Sequence, residues 1–432
     1  VGAKQENFTN SIAFKKVVGH FFPNGVIITE GEQWQRIRKI ITKAMNKTSF
    51  ELIIPSILNN VNFAFDSSNH NAEEGKDRTH THSMKVEGKG TKENNLANSM
   101  RTIDLISRIT FDAFHSLVYE WDPMSLKDNP KALRILDNCN LISLAIGERI
   151  LIPFPLLWTL PTKKNRLYEK AAQTIKDFAE QFLKEQKELL RTHKEEIQAK
   201  KQRSLLQELL LANEMEEAEK GSLSHDELVD QVISLFFAGF DTTSTVLSFA
   251  LNHLARNHDV QDKLREELWI AFPKGEEDIL KGGIEDIEKL VYLKYFIEEV
   301  HRITPFSGIA RDCIKDTEIN GFQIKKGEAI LIDNTAIGLK EDNWNHQTDL
   351  DKFKPERWES FKPPKLERTL PFGIGGRICP GKRLATYEIK ALLAAMLLHH
   401  RVCLRNPIEE EKLQLTFELG FSLKKGTGDI DF

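Results

Sequence analysis

The sequence has little of several features that would place a protein in a specialised class. Its 432 residues hold four cysteines, too few and too widely spaced for a disulfide scaffold or a zinc site. Sparse cysteine use favours a reducing compartment. Lysine and arginine number 60 against 64 acidic residues, and the resulting net charge of −4 gives no indication of nucleic-acid binding. No uninterrupted run reaches the ~18 apolar residues of a membrane span.

The length, the first residue and the composition of the chain indicate how it is organised. A chain of 432 residues is long enough for one large domain, and we interpret residues 1–432 as a single catalytic domain. Val1 is not a methionine, so we expect the N-terminal part of the intact protein to be missing. Hydrophobic residues nearly vanish across 66–98, which predicts a solvated, disordered insertion there.

The segment from Pro371 to Gly381 is the most informative stretch of the chain. It reads Pro-Phe-Gly-Ile-Gly-Gly-Arg-Ile-Cys-Pro-Gly, and a long apolar helical pattern follows it. Its glycines allow the backbone to adopt positive φ and to approach a flat ligand. Cys379 therefore precedes a helix N-terminus, where the helix dipole and free amides favour a negative charge. A thiolate is the form of cysteine that binds a metal.

A second stretch combines a helix start with polar residues in an apolar environment. Ser224 and Glu227 have the spacing of a capping box and open a helix that runs to about residue 257. Apolar residues cover nearly every face before Asp241, so the helix should be central and buried. A carboxylate followed by Thr242 and Thr243 is costly in such a helix unless it is partnered. One interpretation is a satisfied polar pair in a helix kink, and the other is a proton-handling site.

These motifs resemble those of the cytochrome P450 family of haem-thiolate monooxygenases, of the eukaryotic microsomal type, with a fungal origin as one candidate. The cysteine loop matches the family's Phe-x-x-Gly-x-Arg-x-Cys-x-Gly pattern in full. Residues 238–243 resemble the family's oxygen-binding groove. The resemblance extends, in the family's order, to a Trp-x-x-x-Arg helix, a Glu-x-x-Arg helix and a Pro-Glu-Arg segment. It implies a mainly α fold with a small β-rich region, a triangular helical body around a buried haem, here lacking the N-terminal anchor and first strands.

The resemblance also implies roles for individual residues. Cys379 would bind the iron of haem b (iron protoporphyrin IX), and Asp241 and Thr242 would deliver protons during dioxygen activation. Further haem-binding residues would be Trp34, Arg38, Arg311, Arg377, Phe372 and Gly381. A buried structural ion network would join Glu299, Arg302 and Arg357, although Glu299 and Arg302 alone would suit a surface salt bridge. The substrate cavity would be lined by Ala238, Phe240, Phe306, Ser307, Ile309 and Phe421.

The partners follow from the same resemblance. The enzyme would insert one oxygen atom from dioxygen into a lipophilic molecule by hydroxylation or epoxidation. Its electrons would come from NADPH-cytochrome P450 reductase, with cytochrome b5 as a second candidate donor. Arg377, Lys382 and Arg383 would suit docking of an acidic reductase, or would simply form a solvated basic patch. The expected location is the cytosolic face of the endoplasmic reticulum membrane, with attachment through an N-terminal segment absent from this sequence.

Two alternatives remain open at this point. A family member that rearranges peroxides or dehydrates its substrate needs no oxygen activation, and the intact Asp241–Thr242 pair argues against it. A non-catalytic haem binder or an unfolded remnant is the other interpretation, because the N-terminal part is expected to be missing. Haem content together with NADPH-dependent turnover separates that interpretation from an enzyme.

Overall fold

The structure is a computed structural model in which ten segments are described. They are residues 6–65, 84–88, 102–151, 154–217, 221–305, 309–344, 348–359, 369–404, 416–419 and 423–426. Helices dominate these segments and the strands are short, which confirms the predicted mainly α fold with a small β-rich region. Buried apolar side chains from Val17 to Val402 form one continuous core.

The helices are numbered in chain order, leaving single 3₁₀ turns unnumbered. They are α1 (Ile12–Gly19), α2 (Gly31–Lys47), α3 (Ile53–Phe65), α4 (Thr102–Tyr119), α5 (Pro130–Leu151), α6 (Lys163–Thr192), α7 (Lys194–Ala199), α8 (Leu205–Glu217), α9 (His225–Arg256), α10 (His258–Ala271), α11 (Glu276–Glu288), α12 (Val291–Ile303), α13 (Asn334–Leu339) and α14 (Lys382–His399).

The strands form four small antiparallel sheets. They are β1 (Phe8–Asn10), β2 (Met84–Gly88), β3 (Ile309–Cys313), β4 (Thr317–Ile319), β5 (Phe322–Ile324), β6 (Ala329–Ile332), β7 (His400–Leu404), β8 (Thr416–Leu419) and β9 (Leu423–Gly426). The largest sheet has the order β1-β3-β6, and the others are the pairs β2-β7, β4-β5 and β8-β9. In the three-stranded sheet Asn10 lies opposite Arg311, so β1 brings the start of the chain beside the predicted haem-binding arginine.

Helix α9 is the centre of the helical body. Its predicted capping box is present: Ser224 Oγ accepts from the Glu227 N–H, and the Glu227 carboxylate accepts from the Ser224 N–H. The helix packs against α4, α6 and α14. Among the described helices it alone is long and apolar enough to cross a bilayer, and 78% of its most apolar window is buried within the fold. That burial is what a central core helix requires.

Two strand pairings were not expected from the sequence. The segment predicted as a disordered insertion contains β2, which pairs with β7 from the C-terminal part of the chain. Around Lys326 and Gly327 the chain does not form a hairpin, because β6 pairs with β3 instead of with β5. The hairpin lies one turn earlier, where Asn320 and Gly321, both at positive φ, join β4 to β5. This is the turn chemistry that two-residue hairpins favour.

Candidate active site

The cysteine loop closes on itself before α14 begins. Gly373 and Gly375 adopt φ of 72° and 75°, the left-handed region that glycine enters without a steric penalty. The Cys379 N–H donates to Phe372 O at 2.8 Å, which joins the two ends of the loop. A 3₁₀ turn, Gly375–Arg377, lies between them. The loop therefore holds Cys379 three residues before Lys382, the first residue of α14.

Cys379 is exposed, and we call the space in front of its side chain the recess. The residue is exposed, yet surrounding protein is dense enough for burial to raise the pKa of the thiol. Hydrogen bonds from the Gly381 and Lys382 N–H groups and the positive charges of Arg38 and Lys382 act in the opposite direction. A Cβ atom on Gly381 would lie 3.8 Å from Sγ, so this glycine is in contact distance of the sulfur. A metal ion would convert this thiol to the thiolate that the donors stabilise.

An open strip interrupts the otherwise buried surface of α9. Ala238 is exposed and Thr242 is half-buried, while Phe237, Asp241 and Thr243 beside them are buried. The two accessible residues are i and i+4, so they lie one above the other on the same face. Thr242 Oγ1 donates to Ala238 O at 2.8 Å, which leaves its lone pairs able to accept a hydrogen bond from the recess.

Asp241 occupies a different face of α9 from Thr242. The residue is fully buried, and burial together with the charge of Asp241 raises the pKa of Cys139 in α5. Asp241 therefore lies on the α5 side of the helix. Successive residues of an α-helix are separated by about 100°. The structure thus places the acid and the alcohol next to each other in the chain, with the alcohol on the open strip and the acid behind it.

Phe240, which the sequence analysis assigned to the substrate cavity, packs away from the open strip in this structure. Phe240 is fully buried, and its ring packs edge-to-face on Phe111 of α4 at 5.3 Å. It is two residues from Ala238, so it projects from nearly the opposite face of α9. Residue 239 must be glycine because a Cβ there would lie 2.0 Å from ring carbons of Phe114. Its small size admits the ring from α4, whereas Ala238, one residue earlier, is exposed.

Three of the predicted haem-binding arginines come together beside the cysteine loop. Burial lowers the pKa of Arg377, and the positive charges of Arg311 and Arg38 lower it further, because the three guanidinium groups are close. Arg377 stacks on the Trp34 ring, with Cζ 4.0 Å from its centroid. Arg38 donates to Ile378 O at 2.7 Å and lies near the charge of Cys379. Trp34 and these arginines thus share one corner of the recess.

Glu30 also belongs to this corner, although no sequence motif singled it out. It is the residue before α2, and its carboxylate is bound by the Arg377 guanidinium. It also accepts from Thr9 Oγ1 at 2.8 Å and from the Asn10 N–H at 3.0 Å. Arg377 donates in addition to the Thr29 carbonyl at 2.8 Å. One carboxylate against three guanidinium groups leaves an excess of positive charge, which is the sign that haem propionates require.

The recess therefore fits the group that the cysteine motif implies. Cys379 is exposed, and backbone amides donate to its sulfur. The loop before it is rich in glycine, and three arginines give the adjoining corner a positive charge. Among the described residues no group of three or more histidine, cysteine or acidic side chains could hold a metal ion. A single thiolate is sufficient when a porphyrin supplies the remaining ligands.

The ion network of Glu299, Arg302 and Arg357 is assembled in the interior. Arg302 binds both carboxylate oxygens of Glu299 at 2.8 Å, and Arg357 Nε donates to Glu299 Oε1 at 2.9 Å. Glu299 and Arg302 are fully buried and Arg357 is 3% exposed, so a surface salt bridge is excluded. Trp358 Nε1 and the Lys354 N–H also donate to Glu299. The network joins α12 to the 348–359 segment.

His301 connects this network to the cysteine loop. It lies between Glu299 and Arg302 in the chain, and its ring meets the Phe372 ring edge-on at 5.6 Å. Burial lowers its pKa to about 4, so the imidazole is neutral at physiological pH. Of the remaining predicted cavity residues, Ile309 is half-buried, and its Cδ1 would lie 3.9 Å from a Cβ on Gly373. Phe306, Ser307 and Phe421 lie outside the described residues.

Comparison with known proteins agrees with this geometry. The family model described as Cytochrome P450 matches residues 2–432. The chain is 27% identical over 394 residues to Cytochrome P450 3A6 of Oryctolagus cuniculus, covering 90% of this chain and 72% of that protein. It is 27% identical over 408 residues to Desmethyl-deoxy-podophyllotoxin synthase of Sinopodophyllum hexandrum, covering 91% and 72%. It is 36% identical over 179 residues to Putative cytochrome P450 CYP13A5 of Caenorhabditis elegans, covering 40% and 33%.

Proposed function

The chain belongs to the cytochrome P450 family of haem b-dependent monooxygenases, and on this premise we propose that it oxidises a lipophilic molecule in the recess above Cys379. The observation that carries the proposal is the sulfur itself. It is accessible from the recess, preceded by left-handed glycines and bonded by two backbone amides. A buried structural cysteine needs none of these features.

The side chains around the recess would bind and orient the haem. Cys379 would hold it as a thiolate from the α14 side, with Phe372 and Gly381 shaping the loop. Arg38, Arg311 and Trp34 would hold the propionates, and Arg377 would share its charge between them and Glu30. When bound, the haem supplies the oxygen activation and substrate oxidation. The protein supplies its position, the exclusion of water and the control of protons.

Helix α9 carries the two side chains that would handle protons, Asp241 and Thr242. The Thr242 hydroxyl donates to Ala238 O, so its oxygen can accept a hydrogen bond from a group in the recess and return a proton to it. Asp241 is the preceding residue in the chain and lies behind the open strip. Its carboxylate would supply a new proton to Thr242 after the hydroxyl has given one up. An alcohol in this position favours oxygen-dependent chemistry over the oxygen-independent rearrangements of some family members.

Family membership implies dioxygen, an organic substrate and a source of electrons. We propose NADPH-cytochrome P450 reductase, or cytochrome b5, as that source, at the cytosolic face of the endoplasmic reticulum membrane. Docking would use Lys382 and Arg383 beside the cysteine loop. Arg383 is exposed and Lys382 is half-buried. Arg377 is less suited to docking because it stacks on Trp34 and binds Glu30 inside the fold.

The carbon-monoxide difference spectrum of the reduced protein tests the proposal. The haem-loaded chain should show the strongly red-shifted Soret band of thiolate ligation, and Cys379→Ala should abolish it. Cys403→Ala is the matched control, because Cys403 is half-buried in β7 and should leave the spectrum unchanged. A thiolate spectrum that survives in Cys379→Ala would refute the ligand assignment. Haem binding without NADPH-dependent product would support the non-catalytic alternative.

A further inference from the structure

Arg149, near the C-terminus of α5, is a buried cation with an incomplete set of partners. Its side chain is 2% exposed, and one nitrogen, Nη2, donates to Glu169 Oε1 at 3.0 Å. The rings of Phe21, Trp158 and Tyr168 surround the guanidinium, with centroids 5.1, 5.6 and 5.8 Å from Cζ. We call these five residues the Arg149 cluster. A buried charge destabilises the folded state unless hydrogen bonds satisfy it.

Several donors of the cluster have no acceptor within the described residues. Arg149 Nε and Nη1 are buried without a partner, and so is the indole Nε1 of Trp158, which is 8% exposed. Together they carry four N–H bonds, three on the guanidinium and one on the indole. Buried donors in folded proteins are nearly always satisfied by protein, water or a ligand. Acceptor oxygens from outside the described chain are therefore required here.

Aromatic contacts link the cluster to the part of α9 that carries the open strip. Phe21 packs on Arg149, and the next residue, Phe22, stacks on Phe237 of α9 with ring centroids 5.6 Å apart. Phe237 precedes Ala238, which belongs to the open strip of α9. Phenylalanine rings thus lead from the guanidinium to the residue beside the strip. A lipophilic chain can pack along these rings, because they are apolar and aromatic.

We propose that the Arg149 cluster is a subsite for the carboxylate end of a lipophilic substrate. The inference rests on the proposed monooxygenase function and narrows its substrate to long-chain acids. A carboxylate offers about four lone-pair sites, which matches the four unsatisfied N–H bonds. Hydrogen bonds between a guanidinium and a carboxylate are charge-assisted and stronger than neutral ones. An ester or alcohol of the same chain offers fewer acceptors and no charge.

Glu169 competes for the same guanidinium only in part. Its side chain is 49% exposed, and it also bonds His20 Nε2 at 2.8 Å, so two basic groups share it. Partial burial would raise its pKa, but the hydrogen bonds from His20 and Arg149 hold the pKa below its ordinary value. The carboxylate is therefore ionised and lies on the solvent side of Arg149. Removing its charge should strengthen the binding of a second acid.

The 3₁₀ turn Pro155–Thr159 covers the cluster. Trp158 is its one buried residue. Leu156 is 77% exposed and Leu157 46% exposed, so little apolar burial opposes displacement of the turn. Movement of Trp158 would admit the substrate, and its indole N–H would then bond the bound carboxylate. Trp158 would therefore both close the subsite and recognise the bound carboxylate.

Equilibrium dialysis of the haem-loaded full chain against dodecanoic acid and methyl dodecanoate tests the subsite. The acid should bind at least about tenfold more tightly than the ester. Trp158→Phe keeps an aromatic ring and removes only the N–H, and should lower acid affinity about tenfold without changing ester affinity. Arg149→Lys keeps the charge and removes the planar fork, and should do the same. Glu169→Gln should raise acid affinity.

The results separate the subsite from a structural role. Equal binding of acid and ester by the parent protein would overturn the proposal, because the donors would then be satisfied by water. An equal loss of affinity for the acid and the ester in Trp158→Phe would overturn it as well. Trp158 would then contribute packing and not a hydrogen bond to the carboxylate. Dialysis needs no turnover, so a missing thiolate spectrum would refute the proposed function while the acid preference could still be read.

Discussion

At the scale of single residues, Glu30 changes the interpretation of the positive corner. The sequence motifs assign Arg377 to the haem propionates, and the structure gives Arg377 an internal carboxylate partner as well. Burial lowers the pKa of Arg311, and the charge of Glu30 opposes that shift, so the acid acts on both arginines. An acid beside these arginines weakens the field that they present to an anionic group.

Glu30→Gln should therefore slow the release of haem. Glutamine keeps the hydrogen-bond acceptor for Thr9 and Asn10 but removes the charge that competes with the propionates. The expected change is about five- to tenfold, corresponding to roughly 1 kcal/mol for one partly exposed charge pair. Transfer of haem to an excess of a haem-scavenging apoprotein measures the rate.

Thr9→Val is the control for this variant, because it removes one bond to Glu30 and leaves the charge in place. Its haem release should stay at the parent rate. Faster release from Glu30→Gln would contradict the expectation and would mean that Glu30 mainly holds the arginines in position.

At the scale of secondary structure elements, the contact between α9 and α4 determines which face of α9 is open. Phe114 fills the space that a side chain at residue 239 would need, and Phe111 covers Phe240. These contacts fix the rotation of α9 about its own axis. Ala238 and Thr242 consequently lie on the open strip, and Asp241 lies behind it.

Gly239→Ala should destabilise the protein by about 1–3 kcal/mol, the cost of overpacking a tight core. At an unhindered helical site alanine would stabilise by up to about 1 kcal/mol relative to glycine. A loss of stability can therefore only come from the contact with the Phe114 ring, which a Cβ would approach to 2.0 Å. Urea unfolding, monitored by circular dichroism, measures the change.

Phe114→Leu in the same background gives the matched comparison. The shorter side chain should relieve most of the penalty, so the two substitutions should be less than additive. Full additivity would show that α9 accommodates alanine by other means, and the argument for its fixed rotation would fail.

At the scale of the whole molecule, buried neutral histidines make stability depend on pH. Burial lowers the pKa of His115 to about 3, although its Nδ1 hydrogen bond to the Phe111 carbonyl at 2.7 Å acts in the opposite direction. Its ring is fully buried among the aromatic rings of α4 and α9, including Phe236 at 4.9 Å. The unfolded chain binds a proton here below about pH 6.5 and the folded chain does not, so acid favours unfolding.

His115→Leu should remove this dependence. Between pH 6.5 and about 4 the stability difference should shift toward the variant by about 1.4 kcal/mol for each unit of pH lost. Above pH 7 the difference should be constant, because histidine is neutral in both states. Urea unfolding of both proteins at several pH values gives the measurement.

His193→Leu is the control, because it makes the same substitution at an exposed residue at the end of α6. A constant difference between His115→Leu and the parent protein across this range would contradict the buried neutral state. The buried acids Asp112 and Glu388, whose pKa values burial raises, oppose the histidines in the parent protein. Their contribution cancels in the comparison of variant with parent.

The sequence by itself determined the chemistry of this protein. The cysteine loop, the capped apolar helix around Asp241 and Thr242 and the Glu-x-x-Arg spacing are local patterns, readable because each depends on neighbours in the chain. They predicted the helical class, the start of α9 and the assembled residues Glu299, Arg302 and Arg357. Phe306, Ser307 and Phe421 stay predictions.

Only the tertiary structure decided which side chains face the recess and which partners they find. The fate of Phe240 depended on α4, more than a hundred residues away in the chain. The partnership of Glu30 with Arg377 and the pairing of β2 with β7 span even longer separations. Periodicity gives the angle between residues on a helix but not the helix's rotation, because that rotation is set by what packs against it. The Arg149 cluster, drawn from three parts of the chain, had no local signal for the same reason.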